Sequence, residues 1–584
     1  MPEPSPWPAS SVFGEAGLAV AGVGARELAD RFATPLLVFD LADVRERMRT
    51  MRGAFSDVAY AVKAFTGHAM VRLAHQEGLD LLCSSGGEVE ACLRAGVPAG
   101  AINLHGNAKT DAELRLAVQA GIGLVIADGP EELARLDAIA EGAGREVDVM
   151  LRVRPGVEAD THEKIATGHE ESKFGVTRGE VAAPPVGSQI LEAGPALATL
   201  EVLVSVAREA GFVPRVLDVG GGFGVTYVDE DPVTPQVLAA ALAGRLEVLA
   251  GDAGWPMPAL AVEPGRWLVA NPACTLYTVL ARKRAGGRDL LAVDGGMSDN
   301  LRPMLYDAVH AVALASRGSG AAEETVTVVG RHCESGDVLA RDVSLPAGVE
   351  PGDLIAVAAT GAYSYPLASA YNRFGRPAVV AVQDAEVIPW LRREDAGDMD
   401  RLEIAPRRRE PEAAPAGVQV RPARPADARA FLAHWSEIVQ EGGSIRTERV
   451  AAAPAQVRRR FKRSWGPEDA NVLAMAGADV VGHIGLSRER HPATRHVATF
   501  GMAVSPGFRR RGVGEALLAA GFRWAREQGV AKIVLSVFPD NTAAIALYRG
   551  LGFVEEGRLA GHAWTSSGPR DEILMAAWVD GEDR

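Results

Sequence analysis

Between Pro35 and Leu280, short β-branched runs alternate with helix-length stretches, and no other feature of the 584-residue chain restricts its fold as strongly. The strand-like runs are Leu36–Phe39, Val58–Val62, Leu124–Ala127, Val147–Val153, Val216–Val219 and Leu260–Val262, with helical stretches such as Asp111–Ala120 and Pro130–Gly142 between them. Strand and helix in alternation over this length imply an α/β unit with a parallel sheet and favour a (β/α)8 barrel. From Leu290 to Val387 the character changes to short apolar alternations broken by Gly, Pro and Asp, the mark of antiparallel β structure. Residues 392–417 are charged and Pro/Ala-rich without apolar periodicity, which reads as a linker. A further globular unit begins at Val418, and a chain of this length needs more than one core in any case.

Composition narrows the function. A formal net charge of −14 disfavours nucleic-acid and anionic-membrane partners. The first eleven residues are Pro/Ser-rich and lack the basic start and apolar run of a signal peptide. No apolar stretch approaches the roughly 20 residues of a membrane span. The four cysteines (Cys83, Cys92, Cys274, Cys333) show no CxxC spacing, so neither a disulfide framework nor a metal site is expected, and a reducing cytoplasm fits.

Three segments of the first unit carry chemistry together. Lys63 closes the run VAYAVKA, and a lysine at the C-terminal end of a barrel strand can form a Schiff base with an aldehyde cofactor. A lone lysine there is more often a snorkelling surface residue. In LDVGGGFG (217–224), three glycines after a strand let backbone N–H groups approach a phosphate. A dinucleotide-binding turn would lead straight into a helix, whereas the Asp- and Pro-containing stretch 225–235 does not. AVEPGR (261–266) places Glu263 and Arg266 around a turn, a carboxylate for a ring nitrogen and a guanidinium for an anion, although alone it is an ordinary surface salt bridge.

These segments stand in order with YAVKA (60–64), HGNAKT (105–110), SKFG (172–175), GSQI (187–190), RPMLYDAVH (302–310), CESGD (333–337), GAY (361–363) and YNRFGRP (371–377). In that array the stretch 35–377 resembles the fold-type III pyridoxal-phosphate (PLP) decarboxylases, and most closely the diaminopimelate decarboxylases. The resemblance implies a PLP-binding barrel over 35–278, a β domain over 279–392 against which residues 1–34 pack, and a homodimer with active sites at the subunit interface. It also implies Lys63 as the Schiff-base lysine, with Ser188, Gly221, Gly222, Gly265 and Arg266 at the phosphate and Glu263 at the pyridine nitrogen. By the same resemblance Cys333 reprotonates the product carbon from the partner subunit, and Tyr363 contacts both cofactor and substrate. Arg266, Arg302, Tyr306 and Glu334 complete the implied substrate set, the glutamate favouring diaminopimelate over ornithine or arginine. One departure stands out. Only VTRGEVAAPPV separates Phe174-Gly175 from Gly187-Ser188, and Pro185 occupies the position of the family's ring-stacking histidine. The shortfall is about one helix of typical length, so the resemblance predicts a remodelled barrel wall near 175–187.

The final unit carries a different signature. TFGMAVSPGFRRRGVGEALLAAGFRWAREQG (499–529) reads as strand, turn and amphipathic helix, with Arg509, Arg510, Arg511, Gly512, Val513 and Gly514 forming R-x-x-G-x-G at a helix start, where backbone donors and the helix dipole attract an anion. With FPDNTAAIALYRGLGF (538–553), residues 418–584 resemble the GNAT N-acetyltransferases, an α+β fold using acetyl-CoA. That resemblance implies Met502, Ala503 and Val504 along the pantetheine arm, residues 509–514 at the pyrophosphate, Asn541 at the cofactor and Tyr548 as acid for the leaving thiolate. Glu448 and His483 are candidate bases; as isolated residues either is equally a solvated polar side chain. The sequence therefore predicts an amino-acid decarboxylase followed by a linker (393–417) and an amine acetyltransferase. Its partners are expected to be small molecules, and its alternatives are another amino-acid substrate or a non-catalytic PLP-binding sensor for the acetyltransferase.

Overall fold

The computed structural model describes residues 5–153, 192–318, 322–403, 414–442, 445–447, 449, 451–566 and 568–579. The chain divides into two compact units, Met1–Arg401 and Leu402–Arg584.

In the first unit a parallel seven-stranded sheet is built from β1 (Asp57–Ala61), β2 (Asp80–Cys83), β3 (Ile102–Leu104), β4 (Leu124–Ala127), β5 (Val149–Leu151), β6 (Val216–Asp218) and β7 (Ala259–Val262), in the order β6-β7-β1-β2-β3-β4-β5. Successive strands are neighbours except β5 and β6, which form the two edges, and β7 returns to pair with β1, as in a (β/α)8 barrel. The sequence predicts an eight-stranded barrel with a remodelled wall near 175–187, between β5 and β6. That stretch, with Pro185 and Ser188, lies outside the described residues, and among the described ones the sheet is open there. Strand interiors are mostly apolar because helices cover the sheet: Leu81, Leu104 and Val125 are completely buried. The helix Asp111–Ala120 shows how sequence sets the boundaries, since Thr110 and Glu113 form a reciprocal capping box and Gly121 ends it in the left-handed region.

A second, nine-stranded sheet contains β8 (Ala273–Ala285) and β9 (Leu354–Ala358), which pair antiparallel with each other. Sequence pattern groups Leu36–Phe39 with the barrel, but the structure places the strand Leu36–Asp40 in this sheet, between β8 and Ala378–Gln383. Five consecutive buried residues carry no periodicity that distinguishes the two sheets. The N-terminal Leu18, Val20 and Val23 share a core with Val38, Cys274 and Val380 of the same sheet.

The second unit is a seven-stranded sheet that includes β10 (Asp479–Arg488), β11 (Val497–Val504) and β12 (Lys532–Val537), with helices α1 (Ala428–Glu441), α2 (Pro454–Phe461), α3 (Val513–Glu527) and α4 (Thr542–Gly550). β11 and β12 are parallel but pair only over Val497–Thr499 and Lys532–Val534. Past Thr499 the two strands no longer pair, which leaves backbone groups of β11 free for a ligand.

Two candidate active sites

In the first unit, backbone hydrogen bonds tie four distant segments to the C-terminal ends of the strands. Ala61 N–H donates to Pro264 O (3.0 Å), Glu263 N–H to Gly220 O (2.9 Å) and Tyr363 N–H to Ala64 O (2.9 Å). Lys63, in the turn Val62–Ala64 after β1, is thereby fixed between the glycine loop, the EPGR turn and the GAY loop. Gly221 is required by space: a Cβ there would stand 2.5 Å from Glu263 O.

Electrostatics binds the same centre together. Glu263 is 8% exposed and its Oε1 lies 3.7 Å from His105 Nδ1. Burial raises the Glu263 carboxyl, opposed by the charges of Lys63 and Arg152. Burial, with Arg152, Lys63 and Lys109, holds the His105 imidazole well below its ordinary value, so it is neutral. Asp218 is raised by burial and by Glu263, and it accepts from Gly220 N–H at 2.7 Å, which stiffens the glycine loop. A buried carboxyl that holds a proton readily, a lysine and a glycine cradle without room for a Cβ form a donor set that fits PLP.

The sequence-predicted substrate residues fall into two groups. Arg266 and Arg302 gather around Tyr227: Arg302 Nη1 donates to its hydroxyl (2.5 Å), and the guanidiniums lie 6.0 and 4.8 Å from its ring centre. Arg266 also lies 5.7 Å from the Tyr363 ring. Burial alone would raise the Tyr227 phenol, but the two arginines hold it below its ordinary value. Tyr306, at the end of the short helix Arg302–Tyr306, is half-buried and acts electrostatically on Arg266. Cys333 and Glu334 form the second group. Both are exposed, on a loop held by buried His332 and Asp337, and Glu334 accepts from the Tyr371 hydroxyl. Among the described residues neither is hydrogen-bonded to the Lys63 centre. Tyr227, His105 and Arg152 were missed as site residues by sequence reasoning. His105 opens the quoted HGNAKT, whereas Tyr227 lies in the stretch used only to reject a dinucleotide turn.

In the second unit a cavity of about 1240 Å³ opens where β11 and β12 part. Val504, Arg509, Arg510, Gly512, Gly514, Asn541 and Tyr548 line it, as do Met502, Ala503 and His483. Two residues of the predicted cradle do not: Val513 is buried beneath the sheet, and Arg511 turns to the Phe508 ring at 5.8 Å. Gly512 caps α3 at φ 83°, a conformation that favours glycine and directs the helix N-terminus at the cavity. Arg509 is itself occupied, its Nε donating to Val504 O (2.9 Å) and its guanidinium pairing with Glu441. Asn541 caps α4 by accepting from Ala544 N–H at 3.2 Å. Tyr548 is buried against Phe500 and Phe553, and burial pushes its phenol up to about 12. Glu448 lies outside the described residues. Glu572, unsuspected from sequence, lines the cavity at 1% exposure, paired with Arg446 and with His562 Nδ1 at 2.7 Å.

A lysine-centred site at the mouth of a parallel barrel beside an antiparallel domain defines a PLP-dependent lyase, and a cradle in a splayed sheet defines an acyl-CoA transferase. Comparisons agree. The family described as the pyridoxal binding domain of pyridoxal-dependent decarboxylases matches residues 41–184 and 185–270, and the acetyltransferase (GNAT) family matches 443–553. The diaminopimelate decarboxylase of Bacillus subtilis (strain 168) is 40% identical over 418 residues, which are 66% of this chain and 95% of that protein. That of Mycobacterium leprae (strain TN) is 42% identical over 435 residues, covering 68% and 92%. The crystal structure of the M. jannaschii enzyme with L-lysine has a TM-score of 0.63 at 29% identity, covering 68% of this chain and 98% of that one. The chain belongs to the diaminopimelate decarboxylase family and carries a GNAT acetyltransferase domain in the same polypeptide.

Proposed function

We propose that the first unit decarboxylates meso-2,6-diaminopimelate to L-lysine and carbon dioxide, and that the second acetylates an amine from acetyl-CoA. The observation that carries the first reading is the joining of Lys63, Glu263 and the Arg266–Tyr227–Arg302 cluster at one end of the sheet. Lys63 would hold PLP through its amino group. Gly221, Gly222, Gly265 and Arg266 would hold its phosphate together with Ser188, which lies outside the described residues, and Glu263 would hold its ring nitrogen. When bound, the protonated cofactor ring supplies the sink for the electron pair left by the departing carboxylate. Arg266, Arg302, Tyr306 and Tyr363 bind the substrate and orient that carboxylate. Cys333 delivers the proton to the product carbon and Glu334 recognises the distal amino-acid head. Their exposure in the single chain supports a homodimer in which each protomer completes its partner's site.

In the second unit, β11 receives the pantetheine through Met502, Ala503 and Val504. Residues 509–514 take the pyrophosphate, Asn541 contacts the cofactor, and Tyr548 protonates the thiolate. We place the functional boundaries at 35–278, 279–392, 393–417 and 418–584, with residues 1–34 belonging to the β domain, and assign the chain to the cytoplasm. Because decarboxylation leaves an amine-bearing product, the same polypeptide is suited to acetylating it.

A second reading has its own support. The family match breaks between residues 184 and 185, where the sequence is short by about a helix. It makes the first unit a PLP-binding sensor for the acetyltransferase, or a decarboxylase of another amino acid. Incubation with PLP and carboxyl-labelled diaminopimelate, ornithine or arginine separates these. Label release from diaminopimelate, abolished in Lys63→Ala, is expected. A Lys63-dependent PLP absorbance band without release from any of the three leaves a substrate beyond them or a non-catalytic unit, and acetyl transfer that then responds to PLP or an amino acid would support the sensor.

A further inference from the structure

The helix α1 faces β10 with a chain of hydrogen bonds that begins in the acetyltransferase cavity and ends in solvent. His483, on β10, lines the cavity. Its Nδ1 lies 3.0 Å from His434 Nε2, and His434 Nδ1 lies 2.9 Å from Ser505 Oγ. The Ser505 hydroxyl donates to Glu437 Oε2 at 2.6 Å. His434 is 3% exposed and Ser505 6%, whereas Glu437 is exposed. The interior of the chain is dry and its end is wet.

The terminal carboxylate fixes every hydrogen in the series. Glu437, ionised, only accepts, so the Ser505 hydroxyl points at it and offers its lone pairs to His434. His434 must then carry its proton on Nδ1, leaving Nε2 as acceptor for His483 Nδ1–H. His483 Nε2 is left as an unprotonated lone pair, and among the described residues it makes no hydrogen bond.

We propose that His483 is the base of the acetyltransferase and that His434, Ser505 and Glu437 position it and carry its proton to solvent; this rests on the reading of the second unit as an amine acetyltransferase. The attacking nitrogen gains positive charge as its bond to the thioester carbon forms, and becomes far more acidic than a free ammonium. Its proton passes to His483 Nε2 while the Nδ1 proton moves to His434, the His434 Nδ1 proton to Ser505 and the hydroxyl proton to Glu437. The C–N bond forms, the C–S bond breaks, and the thiolate takes its proton from Tyr548. Burial pushes His434 down to about 4 and His483 down to about 3, the latter aided by His434 and Arg460, so both rings rest neutral at pH 7. Facing charges are Glu437, and Arg460 on α2; the Arg509–Glu441 pair lies one turn along α1 from Glu437.

The test uses the full chain labelled with 15N-histidine, resonances being assigned with His434→Asn and His483→Asn. Both rings are expected as the Nδ1–H tautomer, and Glu437→Ala, a change at an exposed residue, is expected to mix the tautomers at both. A wild-type His483 in the Nε2–H form overturns the relay. In parallel, thiol release from acetyl-CoA is followed with L-lysine, cadaverine and spermidine as probe amines. His483→Asn is expected to lower kcat about 10²-fold with KM for acetyl-CoA unchanged, and Glu437→Ala less, about 5-fold. An unchanged kcat in a folded His483→Asn chain overturns the base. A wild-type chain that acetylates no amine overturns the amine reading and with it the base, and the tautomer measurement separates that failure from failure of the hydrogen-bond series.

Discussion

The two sites solve the same problem, holding a phosphate-bearing cofactor, with opposite materials. In the first unit the groups proposed to face the cofactor are side chains from segments up to about 300 residues apart, namely Lys63, Glu263 and Tyr363, joined by single backbone hydrogen bonds between their segments. In the second unit the proposed cradle is largely backbone, one continuous strand–turn–helix from Val497 to Glu527, and the Arg509 side chain there is occupied by the protein itself. A site of convergent side chains has irreplaceable members. A site of backbone donors degrades gradually under substitution, because no side-chain change removes an N–H other than a change to proline.

The largest expected effect follows from that contrast. Lys63→Ala should lower carbon dioxide release by about 10³-fold or more and abolish the PLP absorbance band, while acetyl transfer stays as in the wild type. A loss in acetyl transfer of similar size would break the comparison and couple the units. No side-chain truncation between Arg509 and Gly514 should approach that loss in the acetyltransferase.

Acid should separate the units next. His434 and His483 have folded pKa values lowered by burial to about 4 and about 3, against about 6.5 unfolded. The unfolded chain therefore takes up protons first, and stability is lost as pH falls below 6.5 and goes on falling until the folded rings titrate. Between pH 7 and 5 each of the two should cost about 2 kcal/mol and the pair about 4 kcal/mol, lowering the second unit's transition by roughly ten degrees. In the first unit His105 and His310 act in the same sense, but Asp218, Glu263 and Asp299 are raised by burial, Asp299 to about 7. Those acids protonate in the folded state first and add stability as pH falls. Calorimetry at the two pH values, with acetyl-CoA added to mark the second transition, should show that transition moving further.

How much of this was legible in the sequence tracks the same division. The acetyl-CoA cradle could be read because its parts are contiguous, and glycines with an arginine at a helix start have a local physical meaning. The Lys63 centre could be read only as ordered fragments, and composition never showed that Arg266 and Arg302 meet on Tyr227. Leu36–Asp40 went to the other sheet because a short buried strand carries no signal of its partners. The His483 series joins residues 49, 71 and 68 positions apart, separations at which no periodicity speaks. That the Val513 side chain is buried within the motif could not be read, because a six-residue motif does not show which of its side chains turns inward.

Tyr227→Phe sharpens the comparison from the first site. It keeps the ring between Arg266 and Arg302 but removes the hydroxyl that accepts from Arg302. Losing the charge-assisted hydrogen bonds from Arg302 and Arg266 should cost at least about 1.5 kcal/mol, tenfold or more in kcat/KM for the decarboxylation, with PLP absorbance unchanged. Loss of the PLP band instead would place Tyr227 with the cofactor.

The smallest effect separates cofactor contact from capping at Asn541, whose Oδ1 accepts from Ala544 N–H at the start of α4. Asn541→Ala should destabilise the second unit by about 1 kcal/mol, and Asn541→Asp should leave its stability nearly unchanged, since aspartate caps as well as asparagine. Asparagine also has an NH₂ group, which the cap leaves available and aspartate lacks. If that amide donates to the cofactor, Asn541→Asp raises KM for acetyl-CoA several-fold at unchanged thermal stability, and one side chain serves two hydrogen bonds. If KM follows stability across both variants, Asn541 serves the helix alone. The cradle is then backbone on this side as well, and the contrast with the lysine-centred site becomes complete.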